Sequence, residues 1–313
     1  MDPDDLAFDP DLSHLTEPLA NQLMVLKRQL EGAADPLTHT EQLRLPYTRQ
    51  NPPLPNAILR AAIFPALPAT GDRPILDKAP VFSVDGLSVT FSGKRFDQRD
   101  LDVLLGIFEI GRYEPIGCAF TFTTYTLLRQ LGREDGADHY RDVRESVSRL
   151  LFGMLEITQR IGTRKKWFAG SLLQSASAES DINDERTSTY RIALNPKLAV
   201  LFGFGMWTRI DLEQRKALGR NQVAKIFHLY YSSHTRPGVH SYDTLAKLAD
   251  LQTSEAKQIR RVIRNAHDAL TSTRFLASYK ALKNGIRVTK ASERAKKRAP
   301  RKRKRASQLP LTQ

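Results

Sequence analysis

The chain has 313 residues, 41% hydrophobic and 26% charged, with a mean hydropathy of -0.41. That length exceeds one typical core and suits two domains plus tails, while no apolar run approaches the roughly 20 residues of a membrane span. The 48 Lys and Arg outnumber the 34 Asp and Glu, giving +14, a balance that favours a polyanionic partner.

The first residues carry the opposite charge. Up to Leu45 the acids Asp2, Asp4, Asp5, Asp9, Asp11, Glu17, Glu31, Asp35 and Glu41 outweigh Lys27, Arg28 and Arg44. Such a start lacks the basic and apolar parts of a signal peptide, so a cytoplasmic location is expected. Leu19, Leu23, Leu26 and Leu30 recur at helical spacing and predict one helix over Glu17–Leu30. Prolines 46, 52, 53, 55, 65, 68 and 74 then predict an irregular connector from Leu45 to Pro80, interrupted by a short apolar helix at Asn56–Phe64. Residues 1–79 are thus expected to form a flexible acidic and proline-rich region.

A first folded unit is expected over 80–206. Val81–Ser92 alternates around Asp85-Gly86 as a strand hairpin. Leu101, Leu104, Ile107 and Phe108 mark a helix over Asp97–Ile110. A strand at Cys118–Phe122 follows, then a helix at Tyr125–Leu131 capped by Thr123 or Thr124 and closed by Gly132. Cys118, the single cysteine, reads as a small buried residue rather than a disulfide partner or nucleophile. A longer helix is predicted from Ala137 to Leu155, then a ribbon of Ile157–Ile161 and Trp167–Leu173 joined through Gly162, Thr163, Arg164, Lys165 and Lys166. Three helices followed by a ribbon with a basic tip is the winged-helix order. Arg141, Arg144 and Arg149 become candidate DNA contacts on the third helix, and Arg164, Lys165 and Lys166 on the wing. A solvated charged face is the plain alternative for those arginines.

The same plan recurs over 207–291. Asn221–Tyr231 is an apolar helix, Ser241 caps a second at Tyr242–Leu251, and Thr253 or Ser254 caps a third that runs to about Leu270. On this third helix Lys257, Arg260, Arg261 and Arg264 lie at helical spacing, with Asn265 beside them. Arginine suits guanine, asparagine suits adenine, and lysine suits phosphate. Phe275–Lys290 is expected to form a hairpin around Lys283-Asn284-Gly285, placing Lys283 at a second wing tip. From 292 to 313 the density of Lys and Arg is too high for a packed structure, and a disordered basic tail with affinity for phosphate is expected.

The fold class expected is therefore α+β, tandem winged-helix domains with flexible N- and C-terminal extensions. Catalysis is not expected. His14, His39, His139, His228, His234, His240 and His267 lack the spacing of a rolling-circle nuclease metal pair, and no glycine-rich Walker loop is present. No metal or other cofactor is expected. Tyr230 and Tyr231 read as helix packing, as do Trp167 and Trp207, and Gly203 and Gly205 as a turn.

Several short matches resemble one family over about Phe91–Val288: Glu114-Pro115-Ile116-Gly117 with Phe120-Thr121-Phe122, Ser148-Arg149-Leu150, Val200-Leu201-Phe202, and Tyr231-Ser232-Ser233-His234 with Arg236-Pro237. The chain is similar here to TrfA-type initiators of broad-host-range plasmids. The resemblance implies double-stranded origin repeats as the partner, opening of nearby AT-rich DNA, and recruitment of host replication proteins such as the helicase and the host initiator. It also implies a monomer to dimer exchange. Gln42-Leu43-Arg44-Leu45-Pro46 resembles a Gln-Leu-x-Leu peptide that docks on the replication sliding clamp, making Gln42, Leu43 and Leu45 candidate partner contacts. An operator-binding repressor with the same two domains, and a structural nucleic-acid binder acting through its tail, stay open at this point.

Overall fold

The computed structural model describes residues 44–45, 51–68, 72–181, 184–202 and 207–291. The helix expected at Glu17–Leu30, Gly203, Gly205 and the basic tail lie outside them. The chain enters through a short strand, β1 (Pro53–Pro55), and a single helical turn, α1 (Asn56–Leu59). The longer helix expected to Phe64 does not form, and the segment is not a flexible connector. Leu54, Ile58, Ile63 and Phe64 are each 4% exposed or less. Prolines permit this burial, because each removes an N–H that would otherwise need a partner.

A hairpin follows, β2 (Ile75–Val81) and β3 (Leu87–Lys94). The strand thus begins well inside the region expected to be irregular. The first winged-helix unit then runs α2 (Gln98–Ile110), β4 (Ala119–Thr123), α3 (Thr124–Leu131) and α4 (Ala137–Phe152). Asp97 starts α2 with a capping box: its carboxylate accepts the Arg99 and Asp100 N–H groups at 2.8 and 3.3 Å, and Asp100 accepts the Asp97 N–H at 3.0 Å. Caps of this kind contribute about 1 kcal/mol. Thr123 caps α3, and Gly132 closes it at φ 68°.

α4 ends at Phe152, short of the expected Leu155. A Cβ on Gly153 would lie 2.4 Å from the Phe96 ring, so only glycine lets the helix terminate against that core residue. Beyond it come β5 (Met154–Ile161) and β6 (Arg164–Gly170), then β7 (Leu173–Asp181) and β8 (Asp184–Leu194). The ribbon expected as the wing is β5–β6, but it joins the N-terminal hairpin in a sheet ordered β2-β3-β5-β6. Leu155 and Ile157 of β5 pair with Phe91 and Val89 of β3, so the apolar side of the ribbon is already committed. The wing is β7–β8, in a sheet ordered β4-β8-β7.

After α5 (Ala199–Phe202) the strand β9 (Trp207–Arg209) pairs antiparallel with β1, and α6 (Leu212–Ala217) leads to the second unit. That unit contains α7 (Gln222–Ser232), β10 (Val239–Ser241), α8 (Tyr242–Ala249), α9 (Ala256–Ser272), β11 (Leu276–Ala281) and β12 (Gly285–Lys290). Its sheet order, β10-β12-β11, repeats that of the first unit. Ser241 caps α8 as expected, whereas Glu255 precedes α9 without a side-chain cap. The 283–285 turn also departs from expectation. Neither Asn284 nor Gly285 has a positive φ, and Gly285 is needed because a Cβ there would fall 2.2 Å from the His240 carbonyl oxygen.

Each unit has its own hydrophobic cluster. In the first, Phe96 stacks on Phe64 at 5.1 Å and meets Phe91 edge-on at 4.7 Å. Burial of each ring contributes about 1.5–3 kcal/mol. Ile210 and Leu212 belong to this first cluster, so the second core begins near Leu218 rather than at 207. Among the described residues no helix is long and apolar enough to cross a membrane.

Candidate nucleic-acid interface

Helix α9 carries the strongest charge asymmetry. Ile263, Ala266 and Leu270 are fully buried against the second core, while Lys257, Arg260, Arg261, Arg264 and Asn265 are all exposed on the other side. Positions i, i+3, i+4, i+7 and i+8 share one face of a helix, so the five side chains expected from the sequence do converge. The Arg260 guanidinium sits 5.6 Å from the centre of the Tyr242 ring, a cation–π contact that limits its rotamers.

A buried polar network anchors this helix from behind. His267 Nδ1–H donates to the Ile263 carbonyl at 2.7 Å, leaving Nε2 to accept the Tyr231 hydroxyl at 2.8 Å. Burial pushes the His267 pKa down to about 4 and raises that of Tyr231 well above its ordinary value, which keeps the pair neutral. Tyr279 on β11 donates to Asp268 at 2.6 Å and ties the wing to the same helix. Tyr230 and Tyr231 are thus packing residues, as expected.

On the second wing, Lys280 of β11 pairs directly with Arg287 of β12, both exposed, with Lys283 exposed in the turn. Like charges directly opposite each other destabilise a strand pair. A polyanion laid across the ribbon would relieve that repulsion. Lys280 and Arg287 were missed as site residues because only strand register brings them together.

The first unit differs. Arg141 is exposed and bound to Asp138 at 2.7 Å, and Arg144 is also exposed. Arg149, expected beside them, is 8% exposed and does not reach the surface. Its Nε and Nη2 contact one Asp100 oxygen at 3.0 and 2.9 Å, and Nη1 reaches Glu145 at 3.1 Å. It is a core ion pair, not a DNA contact. Asp138, Asp142 and Glu145 also offset the arginines of α4, while α9 has one acid, Asp268.

The basic residues of the first unit gather instead on β5–β6. Lys165 is opposite Arg160 in register, a second cross-strand pair of like charges, and both are exposed. Lys166 is half-buried, and burial pushes its pKa down to about 8. Beside the pair, Trp167 faces Thr158 and is 58% exposed, so it is not the packing residue expected. Its indole N–H donates to Glu156 at 2.9 Å, which fixes the ring on the open face of the sheet. Trp207 is partly buried against the first core and does pack.

Gln42, Leu43 and the Arg164 side chain lie outside the described residues. Leu45, expected to be presented to a partner, is 7% exposed and packed in the first core. Cys118 is half-buried rather than fully enclosed. Among the described residues no cluster of three or more His, Cys, Asp or Glu could hold a metal.

Residues 51–68 join the two units. Arg60 binds Asp85 at 3.1 Å and donates to the Ser233 carbonyl at 2.7 Å and hydroxyl at 3.1 Å. The Ala66 N–H donates to the Ala249 carbonyl at 3.2 Å. Below them Asp102 of α2 accepts Arg215 Nε and Lys225 Nζ, each at 2.7 Å. Burial alone would raise the Asp102 pKa, but the charges of Arg215 and Lys225 outweigh it and hold the carboxyl low.

Fold and surface together define a tandem winged-helix protein whose cationic side is concentrated on the third helix and wing of the second unit. The chain belongs to the family described as TrfA protein, whose profile matches residues 23–284. It is 25% identical over 221 residues to the Plasmid replication initiator protein TrfA of Escherichia coli, covering 69% of this chain and 56% of that protein. The chain thus spans little more than half of that relative. Among solved structures, a crystal structure of domains 2 and 3 of RctB matches with a TM-score of 0.51 at 14% identity, covering 77% of this chain and 99% of the other. A second structure of those RctB domains gives a TM-score of 0.46, with 75% and 97% covered.

Proposed function

We propose that the protein is a plasmid replication initiator that binds repeated sites at the plasmid origin, opens adjacent AT-rich DNA and recruits host replication proteins. The observation that carries this reading is the single exposed face of Lys257, Arg260, Arg261, Arg264 and Asn265 on α9, within a chain of the TrfA family. Arginine and asparagine at the groove read bases, while Lys280, Lys283 and Arg287 on the wing hold phosphates. The protein acts by binding in the cytoplasm of its host, without catalysis of its own, and monomer to dimer exchange controls its activity.

Opening requires a place for the unpaired strand. The open face of β5–β6 suits it, because Trp167 offers a ring for stacking and Arg160 and Lys165 offer charge for phosphates. A repressor reading the same repeats has no use for such a face. The test is footprinting on negatively supercoiled plasmid DNA carrying this gene, with permanganate probing of unpaired thymines. Protected repeats with reactive thymines nearby, both lost in Arg260→Ala/Arg264→Ala, support an initiator. Protection without reactive thymines would make the protein an operator-binding repressor.

A further inference from the structure

The α9 face and the β5–β6 face belong to different units, held at one distance by the segment that precedes the first repeat and by Asp102 of α2 bound to Arg215 and Lys225. Residues 51–68 are almost wholly buried and hydrogen-bond to both sides. Toward the first unit, the Ala62 N–H donates to the Phe82 carbonyl at 2.8 Å and the Arg60 carbonyl accepts from Val84 at 3.0 Å. Toward the second, Arg60 grips Ser233 at the end of α7, and Ala66 meets the end of α8.

The β2–β3 turn held by Arg60 also supports the basic hairpin. Leu87, which follows that turn, is opposite Gln159 of β5 in register, next to Arg160. A continuous path therefore leads from the end of α7 through Arg60 and Asp85 to the start of β3 and its partner strand β5. At the opposite side of the joint, Arg215 is 2% exposed and shares Asp102 with Lys225. Its Nη2 donates to the Gln98 side chain at 2.8 Å, and Gln98 in turn donates to the Phe64 carbonyl. Buried ion pairs of this kind favour one geometry strongly over its neighbours, because any displaced arrangement leaves a charge unpaired in low dielectric.

We infer that Arg60 and Asp102 are positioning residues that fix the offset between the recognised repeat and the point at which the duplex opens. This rests on the reading of α9 as the repeat-binding helix and of β5–β6 as the strand-receiving face. Two binding faces held rigidly engage one DNA only at a matching separation, and loosening the joint spreads that separation and lowers effective concentration. The residues touch no DNA themselves. They act through the distance between the residues that do.

The experiment measures offset rather than activity. Intact protein, Arg60→Ala and Asp102→Asn are each bound to negatively supercoiled plasmid carrying this gene, and permanganate-reactive thymines are mapped relative to the protected repeats. Arg60→Ala is the principal variant because its side chain lies at the rim, 19% exposed, and its loss leaves no unpaired buried cation. Repeat protection at unchanged protein concentration checks that each variant is folded. The expected result is a single sharp offset for the intact protein, and in Arg60→Ala the same repeat protection with reactive thymines spread over several positions, their peak reactivity about tenfold lower. An unchanged, equally sharp offset in a folded Arg60→Ala overturns the inference while leaving the initiator reading intact. Absence of reactive thymines with the intact protein overturns that reading and the inference with it.

Discussion

Lys280 lies directly across the second wing from Arg287, two exposed cations in register on neighbouring strands. In the free protein they repel. Arg287→Ala should therefore stabilise the fold slightly, by about 0.5 kcal/mol, while weakening DNA binding and lowering the slope of log affinity against log salt by about 1. Chemical denaturation and a salt titration of binding check the two halves, and loss of stability without change in slope would remove the wing from the interface.

Arg260 and Arg149 illustrate opposite consequences of the same residue type. Arg260→Ala should leave the melting temperature nearly unchanged and cost about 1–3 kcal/mol of specific binding. Arg149→Ala takes one of two guanidinium partners from buried Asp100, leaving it Arg73, and should destabilise the fold by about 1–3 kcal/mol, with any binding defect following from unfolding. Thermal melts and competition binding on the same preparations separate the two.

His267 makes stability depend on acidity. Its folded pKa, about 4, lies below the ordinary 6.5, so between those values the unfolded chain binds the proton and the native state does not. The stability from neutral His267 is fully present above pH 6.5 and is lost as pH falls toward 4, to a total on the order of 3 kcal/mol. Urea denaturation at several pH values should show a flatter profile for His267→Gln over that interval. An identical profile would place the dependence elsewhere.

Trp167 is exposed, so Trp167→Ala should change stability by less than about 0.5 kcal/mol. Binding to a short single-stranded oligonucleotide should weaken by about 1–3 kcal/mol. Duplex binding at the repeats should be retained. Equal single-strand affinity of the two proteins would exclude the open sheet face.

Much of this architecture is legible from spacing and caps. Asp97, Thr123 and Ser241 each begin the helix their position predicts, and the α9 face follows from five positions of one helix. Arg149 could not be separated from Arg141 in the same way. Its partner, Asp100, is 49 residues earlier and meets it only through packing of α2 on α4. The wing β7–β8 escaped because Ser175, Ser177 and Glu179 alternate with alanines, giving little hydrophobic contrast. The fate of β5–β6 depended on β3, which offered a partner strand to the same apolar side chains. Residues 51–68 were obscured by prolines, which mark loops locally yet bring no backbone N–H that needs a partner when the segment is buried.

That early segment also bears on the order of events at the ribosome. Asn56 bonds Thr208 and Arg60 bonds Ser233, partners separated by 152 and 173 residues. The first core is therefore completed only when Ile210, Leu212 and Leu229, with β9 and the end of α7, have been synthesised. Contacts of such long range slow folding, and until they form, the apolar side chains from Leu54 to Phe64 remain available to chaperones. A nascent chain halted before Trp207 should accordingly be held in a protease-sensitive state, and one released after Ser233 should become resistant.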